Sequence, residues 1–447
     1  SANPSAGCAL VGKQRVRRRK IASLSSDLSC GILSAEAGEG ESSADLIFAG
    51  HNLIAENGSF LGEGRFETGL VLSELDVLLL EQERLRTRFP HRGSPLEHPI
   101  LFSLPCSKTA LTRYISKTPF VPEDKVERTA RCEEVLLLCS MGLKKRLEYT
   151  GAKKAVLGLS GGLDSTLATL ITMIAMNLCG LPAENVIAVT MPCFGTTDRT
   201  RDNAVELAER LGATLRHIDI SGSVRSHFAD IGQNINNYDA AFENAQVRER
   251  AQVLMDIADQ TGGIVVGTAD LSELALGHVT YNGDLSAMYN VNASIPKTLV
   301  RYLVQYVSRD KAEEDEALSV ILTDILDTPG SSELIPVDSR KPVLNLEAGP
   351  EPYELYDFFL YYMLRRSFPP GKILRLAEQA FGRNRPRPVL VHWMKVFYRR
   401  FFSQQFKRSS LADGPTIGSV TLSPRRGLFM PSDASANLWL GELDNLE

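Results

Sequence analysis

Short, wholly apolar runs alternate with amphipathic stretches through the middle of the chain. Ala155-Val156-Leu157-Gly158-Leu159 is the first, Val186 to Met191 and Ile264 to Gly267 are similar, and Leu215 to Ile220, interrupted by Arg216, His217 and Asp219, is taken as a further strand. A run apolar on both faces of a pleat suits a strand covered on both sides. Between these runs the apolar spacing becomes helical at about 165–178, 200–211 and 241–259. Strand, helix and strand at this spacing predict right-handed crossovers, hence an α/β fold with a parallel sheet and helices on both faces. A further helix is expected after Pro122, with Glu123 and Asp124 near its positive end. Val135, Cys139, Leu143 and Leu147 fall on one face of it. Beyond residue 340 the pattern is mainly helical, and the aromatic clusters Tyr353 to Tyr362 and Trp393 to Phe402 are assigned to core packing.

The first hundred residues follow another pattern, mostly β after an initial helix. Strands are expected at Gly31 to Ala37, Asp45 to Ala49, Asn52 to Glu56 and Leu70 to Leu75. Asn57-Gly58 between apolar runs predicts a hairpin, because both residues tolerate positive φ. The basic run from Lys13 to Lys20 is taken as the charged face of the helix that leads into Ile21. Residues from about 90 to 122 are rich in proline, lack periodicity and are expected to be a linker.

Composition changes this picture little. The 447 residues are 43% hydrophobic and 23% charged, which predicts at least two domains. A formal net charge of -5 gives no reason to expect nucleic acid as a partner. No apolar stretch of about 18 residues appears, so no membrane span is predicted. The seven cysteines are scattered without a CxxC pair, and the seven histidines show no ligand spacing. Reduced thiols in a cytoplasmic protein are expected, with no protein-built metal site read from these residues. The opening Ser1-Ala2-Asn3-Pro4-Ser5-Ala6 has no methionine, signal peptide or amphipathic leader, and an upstream segment is expected to be missing.

Candidate chemistry centres on Gly158-Leu159-Ser160-Gly161-Gly162-Leu163-Asp164-Ser165, between the first predicted strand of the parallel sheet and a helix. Adjacent glycines let several N–H groups point into one concavity, backed by the positive end of the helix. Ser160 and Ser165 add hydroxyl donors. Asp164 is out of place beside phosphate unless a divalent cation bridges the two. The lysine of a Walker loop is absent, and GxGxxG does not fit.

The string Ser-Gly-Gly-x-Asp-Ser resembles the pyrophosphatase loop of the N-type ATP pyrophosphatases, which cut ATP between its α and β phosphates. Within that group the chain resembles the NAD synthetases. Phe242 to Arg250 is similar to their ENxQxRxR segment, and Gly267 to Gly277 to GTxDLSELALG. Tyr289 to Ala293 with Pro296-Lys297-Thr298 is similar to YNVNA…PKT, and Gln405 to Ser409 to QFKRS. The likeness runs from about 123 to 447 in unbroken order. It implies a Rossmann-like sheet with flanking helices, of the adenine nucleotide alpha hydrolase type.

The resemblance also implies roles. Gly158, Leu159, Ser160, Gly161, Gly162, Leu163, Asp164, Ser165 and Thr268 would hold ATP. Asp164 would sit near Mg²⁺, and Glu273 would face the metal or deamido-NAD. Asn244, Arg248 and Lys407 would bind deamido-NAD, while Arg248, Arg250 and Lys297 would be phosphate partners. Asp164, Glu273 and Lys297 are the catalytic candidates. No catalytic part is expected of His278. The implied reaction adenylates the nicotinate carboxylate of deamido-NAD and then amidates it with ammonia.

Residues 1–105 resemble the C-terminal part of an α+β nitrilase-like glutaminase sandwich, through Ala35 to Ser43 and Asp45 to Gly58, followed by a linker at 106–122 and the synthetase part at 123–447. The Glu, Lys and Cys of that family would lie upstream, so no glutaminase triad is assigned. Cys8 is expected to be a buried thiol. Ammonia would come from glutamine in an intact enzyme or be free for this chain; the missing N-terminal glutaminase fragment is a further implied partner, and a homo-oligomer is implied. The competing readings are a non-catalytic assembly remnant, another amidotransferase with this loop such as GMP synthetase, and a carbon–nitrogen hydrolase, which fails on its nucleophile.

Overall fold

In a computed structural model the described residues are 1–38, 47–48, 50–65, 69–87, 103, 110–311, 315–328, 334–335 and 352–446. They form two compact units, Ser1–Ser116 with Arg366–Phe368, and Lys117–Arg365 with Pro369–Glu447.

In the first unit a four-stranded sheet runs β1 (Ala2–Ser5), β2 (Gly31–Glu36), β3 (Asn52–Glu56), β4 (Ser59–Gly64) in spatial order. β1 pairs parallel to β2, and the other pairs are antiparallel. The β3–β4 turn uses Asn57 at φ 46 and Gly58 at φ 86, as the sequence predicts. Helix α1 (Lys13–Asp27) lays Ile21 and Ser25 on this sheet, and α2 (Val77–Thr87) follows. The chain therefore enters on a strand rather than on the expected helix. The basic run is only partly a solvated face. Arg17 donates to Ser34 at 2.8 Å and pairs with Glu36, while Arg18 lies 4.2 Å over the Phe60 ring. Leu70 to Leu75 forms no strand. Its alternation is real, since Val71 packs across Gly62 and Gly64 while Leu70 and Leu72 face solvent, but it has no ladder partner among the described residues. Cys8 is half-buried instead of buried, and its carbonyl accepts from Lys13 at 2.8 Å. Most of the expected strand at 45–49, part of the motif at 35–43 and, of the expected linker, residues 90–102 and 104–109 lie outside the described residues.

The second unit follows the alternating pattern. Helix α3 (Lys125–Thr150) starts at an Asp124 cap and buries Val135, Cys139, Leu143 and Leu147. Next come β5 (Ala155–Gly158), α4 (Leu163–Leu178), β6 (Val186–Thr190), α5 (Asp198–Arg210), β7 (Thr214–His217), α6 (Ser221–Ile231), α7 (Ala240–Thr261), β8 (Ile264–Gly267), α8 (Leu271–Leu276) and β9 (Tyr289–Asn290). All five strands are parallel, in the order β7-β6-β5-β8-β9. Alternate residues serve opposite layers. Ala155, Leu157, Val186 and Ala188 join the core under α3, α4 and α5, whereas Val156, Ile187, Val189 and Val265 join the one under α6 and α7. The expected strand Leu215 to Ile220 stops at His217, because Asp219 accepts from Ser221 at 2.8 Å and turns the chain into α6.

Helices complete the unit: α9 (Lys297–Tyr306), α10 (Glu316–Asp327), α11 (Tyr353–Leu360), α12 (Pro370–Phe381), α13 (Arg387–Ser403), α14 (Gln405–Arg408) and α15 (Asn437–Asp444). The aromatic clusters are core: Tyr356, Phe359, Trp393, Phe397 and Phe401 are all buried. No described helix is long and apolar enough to cross a membrane. The chain order winds outward from β5 to β7, then returns to β8 on the other side. The crevice beyond the carboxyl ends of β5 and β8 is thus the switch point where such sheets bind ligands.

Candidate active site

Both strands at that switch point end in glycine and run into a short loop and a helix. After β5, Leu159 still bonds to Val189 O at 2.9 Å, and then the chain turns. Gly161 has φ +83, and a Cβ there would sit 2.0 Å from Thr200 O, so only glycine fits. The hydroxyls bind the loop to itself. Ser160 Oγ accepts from Gly162 N at 3.2 Å and lies 3.1 Å from Ser165 Oγ, which donates to Gly162 O at 3.1 Å. Gly162 caps the 16-residue α4, with Asp164 in its first turn. The positive end of α4 therefore opens at the crevice, which Ser160, Gly162, Asp164 and Ser165 line.

After β8, Asp270 opens α8 with a capping box. Its Oδ1 accepts from Glu273 N at 2.8 Å, and Glu273 Oε2 accepts from Asp270 N at 3.4 Å. This box aims the other oxygens of both acids towards Asp164. Carboxylate oxygens of Asp164, Asp270 and Glu273 lie within 4.8 Å of one another. Lys297, first residue of α9, places its Nζ 2.6 Å from Asp164 Oδ2, 2.8 Å from Asp270 Oδ2 and 3.0 Å from Glu273 Oε1. One ammonium faces three carboxylates, so negative charge is left over. Burial, then the nearby Asp164, push Glu273 up to about 7, and burial raises Asp270. Burial pulls the Lys297 ammonium down, but the three carboxylates outweigh it and hold its proton firmly.

The donor set fits a hard divalent cation. It offers only carboxylate oxygen, and Asp164 Oδ1 is buried without a hydrogen-bond partner.

Gly158, Leu159, Ser160, Gly162, Asp164, Ser165, Thr268 and Glu273 line one cavity of about 310 Å³, with Arg250 across from them. Two residues of the loop lie elsewhere: Leu163 packs on the core, and Gly161 backs onto Thr200. The residues with an implied dinucleotide role gather on the next stretch of chain. Asn244 accepts from Thr280 Oγ1 at 2.8 Å, Arg248 donates to Tyr281 O at 3.4 Å, and Lys407 Nζ donates to Gly277 O and Val279 O at 2.8 and 2.7 Å. Gly283 and Asp284 at its far end line the cavity, which links the two groups.

Sequence reasoning missed Asp270, although the D-x-x-E capping spacing marks it. It also missed the residues that hold the site from behind. Asn292, fully buried, donates through Nδ2 to Asp164 O and Thr268 O, both at 2.9 Å, and Asn290 Nδ2 donates to Ala269 O at 2.9 Å. The last carbonyls of α8 are met by cations. Arg408 donates to Leu274 O at 3.2 Å and Ala275 O at 2.7 Å, and Arg400 donates to Leu276 O at 3.1 Å. No local pattern announces those pairings.

The NAD synthase family model matches residues 137–375. The glutamine-dependent NAD(+) synthetase of Mycobacterium bovis is 38% identical over 480 residues, covering 99% of this chain and 70% of its own length. That of Mycobacterium leprae is also 38% identical, over 479 residues and the same shares. The crystal structure of a glutamine-dependent NAD(+) synthetase from Cytophaga hutchinsonii superposes with a TM-score of 0.56 at 17% identity, over 99% of this chain and 70% of that one.

Proposed function

The chain belongs to the NAD synthase family, and from that premise we propose that its crevice adenylates deamido-NAD with ATP and then amidates it to NAD. The enzyme is a ligase. The observation that carries this reading is the meeting of the 158–165 loop with the Asp164, Asp270 and Glu273 carboxylates at the sheet's switch point.

The chemistry follows from the amide bond. A carboxylate resists ammonia because oxide is a very poor leaving group. Its oxygen attacks the α phosphorus of ATP, the bond to the β-phosphate oxygen breaks, and pyrophosphate leaves. Ammonia then attacks the carbonyl of the mixed anhydride, a proton is lost, and the C–O bond breaks to release AMP. The chain's own part is to position and to stabilise charge. N–H groups from Ser160 to Gly162 and the α4 terminus receive phosphate oxygens, with Ser160, Ser165 and Thr268 supplying hydroxyls. Arg250 and Lys297 balance charge on phosphate. Asp164 and Glu273, joined by Asp270, would hold Mg²⁺, which when bound neutralises phosphate charge. Asn244, Arg248, Lys407 and Glu273 take the deamido-NAD side.

In the same reading residues 1–105 are the C-terminal part of a nitrilase-like glutaminase domain, 106–122 a linker and 123–447 the synthetase. Glutamine is the nitrogen source upstream of ammonia, and the assembly is a cytoplasmic homo-oligomer.

The test is NAD formation from deamido-NAD, ATP and Mg²⁺, with ammonium or glutamine, while AMP and pyrophosphate are measured. Stoichiometric NAD, AMP and pyrophosphate with ammonium are expected. ADP and phosphate as products, or no product from folded protein, would overturn the reading. The glutamine arm tests whether its amide nitrogen reaches this crevice.

A further inference from the structure

Lys297 reaches the carboxylate cluster from the first residue of α9, a helix without a cap of its own. Its N-cap is Pro296, which makes no side-chain bond, and its first turn has no acid. The leading amides of a helix have no partner within it. Here they are met from two other helices. Lys297 N donates to Ser272 Oγ of α8 at 2.9 Å, and Thr298 N donates to Asp357 Oδ2 of α11 at 2.8 Å. The same carboxylate oxygen accepts from Thr298 Oγ1 at 2.7 Å, and Oδ1 accepts from the Ser272 hydroxyl. Asp357 therefore ties the α9 start to α8, which carries Asp270 and Glu273.

Asp357 is fully buried, with Tyr356, Phe358 and Phe359 beside it, and burial raises its carboxyl. A buried charge is a costly way to cap a helix when Ser or Asn at the N-cap would serve. Its use makes sense if the charge matters to Lys297, the cation whose charge acts on it. Tyr353 lies one helical turn before Asp357, on the same face of α11. Its ring centroid is 5.1 Å from Lys297 Nζ, a cation–π distance. Helix α11 thus bears on the lysine at both ends, on its main chain indirectly, because Asp357 bonds Thr298 N and the Ser272 hydroxyl that receives Lys297 N, and on its ammonium through Tyr353. A lysine stem has four flexible carbons, so fixing one end alone would leave the charge loose.

We propose that Asp357, assisted by Tyr353, is a positioning residue that sets Lys297 against the carboxylate cluster; this rests on the reading of that cluster as the adenylation site. Because its effect runs through Lys297, it disappears when Lys297 is gone.

The experiment compares Asp357→Asn, Lys297→Met and the double variant in pyrophosphate release, together with hydrogen exchange in the ligand-free protein. Asp357→Asn is expected to lower kcat about 30-fold, the scale of a small misplacement of a reacting group, with KM for deamido-NAD within about twofold. Added to Lys297→Met it should cost nothing more, as in a fully coupled double-mutant cycle. Losses that multiply would overturn the proposal. In the exchange arm, amides of Lys297 and Thr298 should exchange faster in Asp357→Asn while α4 and the rest of α11 keep their protection. Faster exchange throughout α11 would show a merely structural role and equally overturn it. Tyr353→Phe should keep the wild-type kcat and Tyr353→Leu should not. Should Asp357→Asn fail to fold, Ser272→Ala carries the same two readouts with a smaller effect. Wild-type protein that releases no pyrophosphate would sink the adenylation reading, while the exchange arm would still decide whether Asp357 holds Lys297.

Discussion

Two strand-to-helix connections meet at the site, and they are built on opposite plans. The one after β5 works through its main chain. Glycines bend it, two serines tie it to itself, and one side chain, Asp164, joins the cluster. The one after β8 works through side chains, Asp270 and Glu273, on a helix of only six residues. So short a helix cannot hold its own orientation, and it is gripped from outside by Asn290, Ser272 through Asp357, Arg400 and Arg408. Phosphate recognition by N–H groups needs only local geometry. A cluster of buried acids needs support from distant parts of the chain, because each acid must be held near like charge.

This contrast can be broken most directly at Glu273. Glu273→Gln should lower pyrophosphate release about a thousandfold, whereas Ser160→Ala in the other connection should stay within about tenfold; equal losses would erase the distinction. Next in size, Arg408→Met should reduce stability by about 3 kcal/mol, since buried carbonyls lose their donor. Chemical denaturation would read this, and an unchanged midpoint would mean that α8 holds itself. Gly161→Ala should raise KM for ATP about a hundredfold by pushing the loop off Thr200. A mild effect there would show that the loop is not set by its backbone. Asn292→Ala is the smallest, at about 1–2 kcal/mol of stability, with a fall in kcat because Asp164 loses its tie to Thr268. Loss of stability with kcat intact would make Asn292 a core residue only.

The same contrast explains what could be read from the chain. Gly161, Gly162 and Ser165 spell their geometry locally, and β5, β6 and β8 show as apolar runs because both of their faces are buried. β9 could not be seen, since two residues carry no period. Leu70 to Leu75 has a strand's alternation but no pairing partner, and pairing is not a local property. Lys407 stands in a legible motif, yet its ammonium rests on the carbonyls of Gly277 and Val279, which no spacing foretells. Asp357 did leave a trace, an acid set between Tyr356 and Phe358 in an aromatic helix. What it holds lies 59 residues away at Thr298.

Arg408 gives the fold a schedule. The residue is 1% exposed, and its guanidinium reaches carbonyls 134 and 133 residues earlier in the chain. During synthesis the acids of α8 emerge long before the cation that finishes their helix. Contacts of such separation form late, after the loop between them has closed. The parallel sheet and its glycine loop can assemble first, as a scaffold without a working centre. Competence for the reaction arrives as a final step, when the α13–α14 corner docks, so a partly made chain can be folded in most of its mass and still be chemically silent.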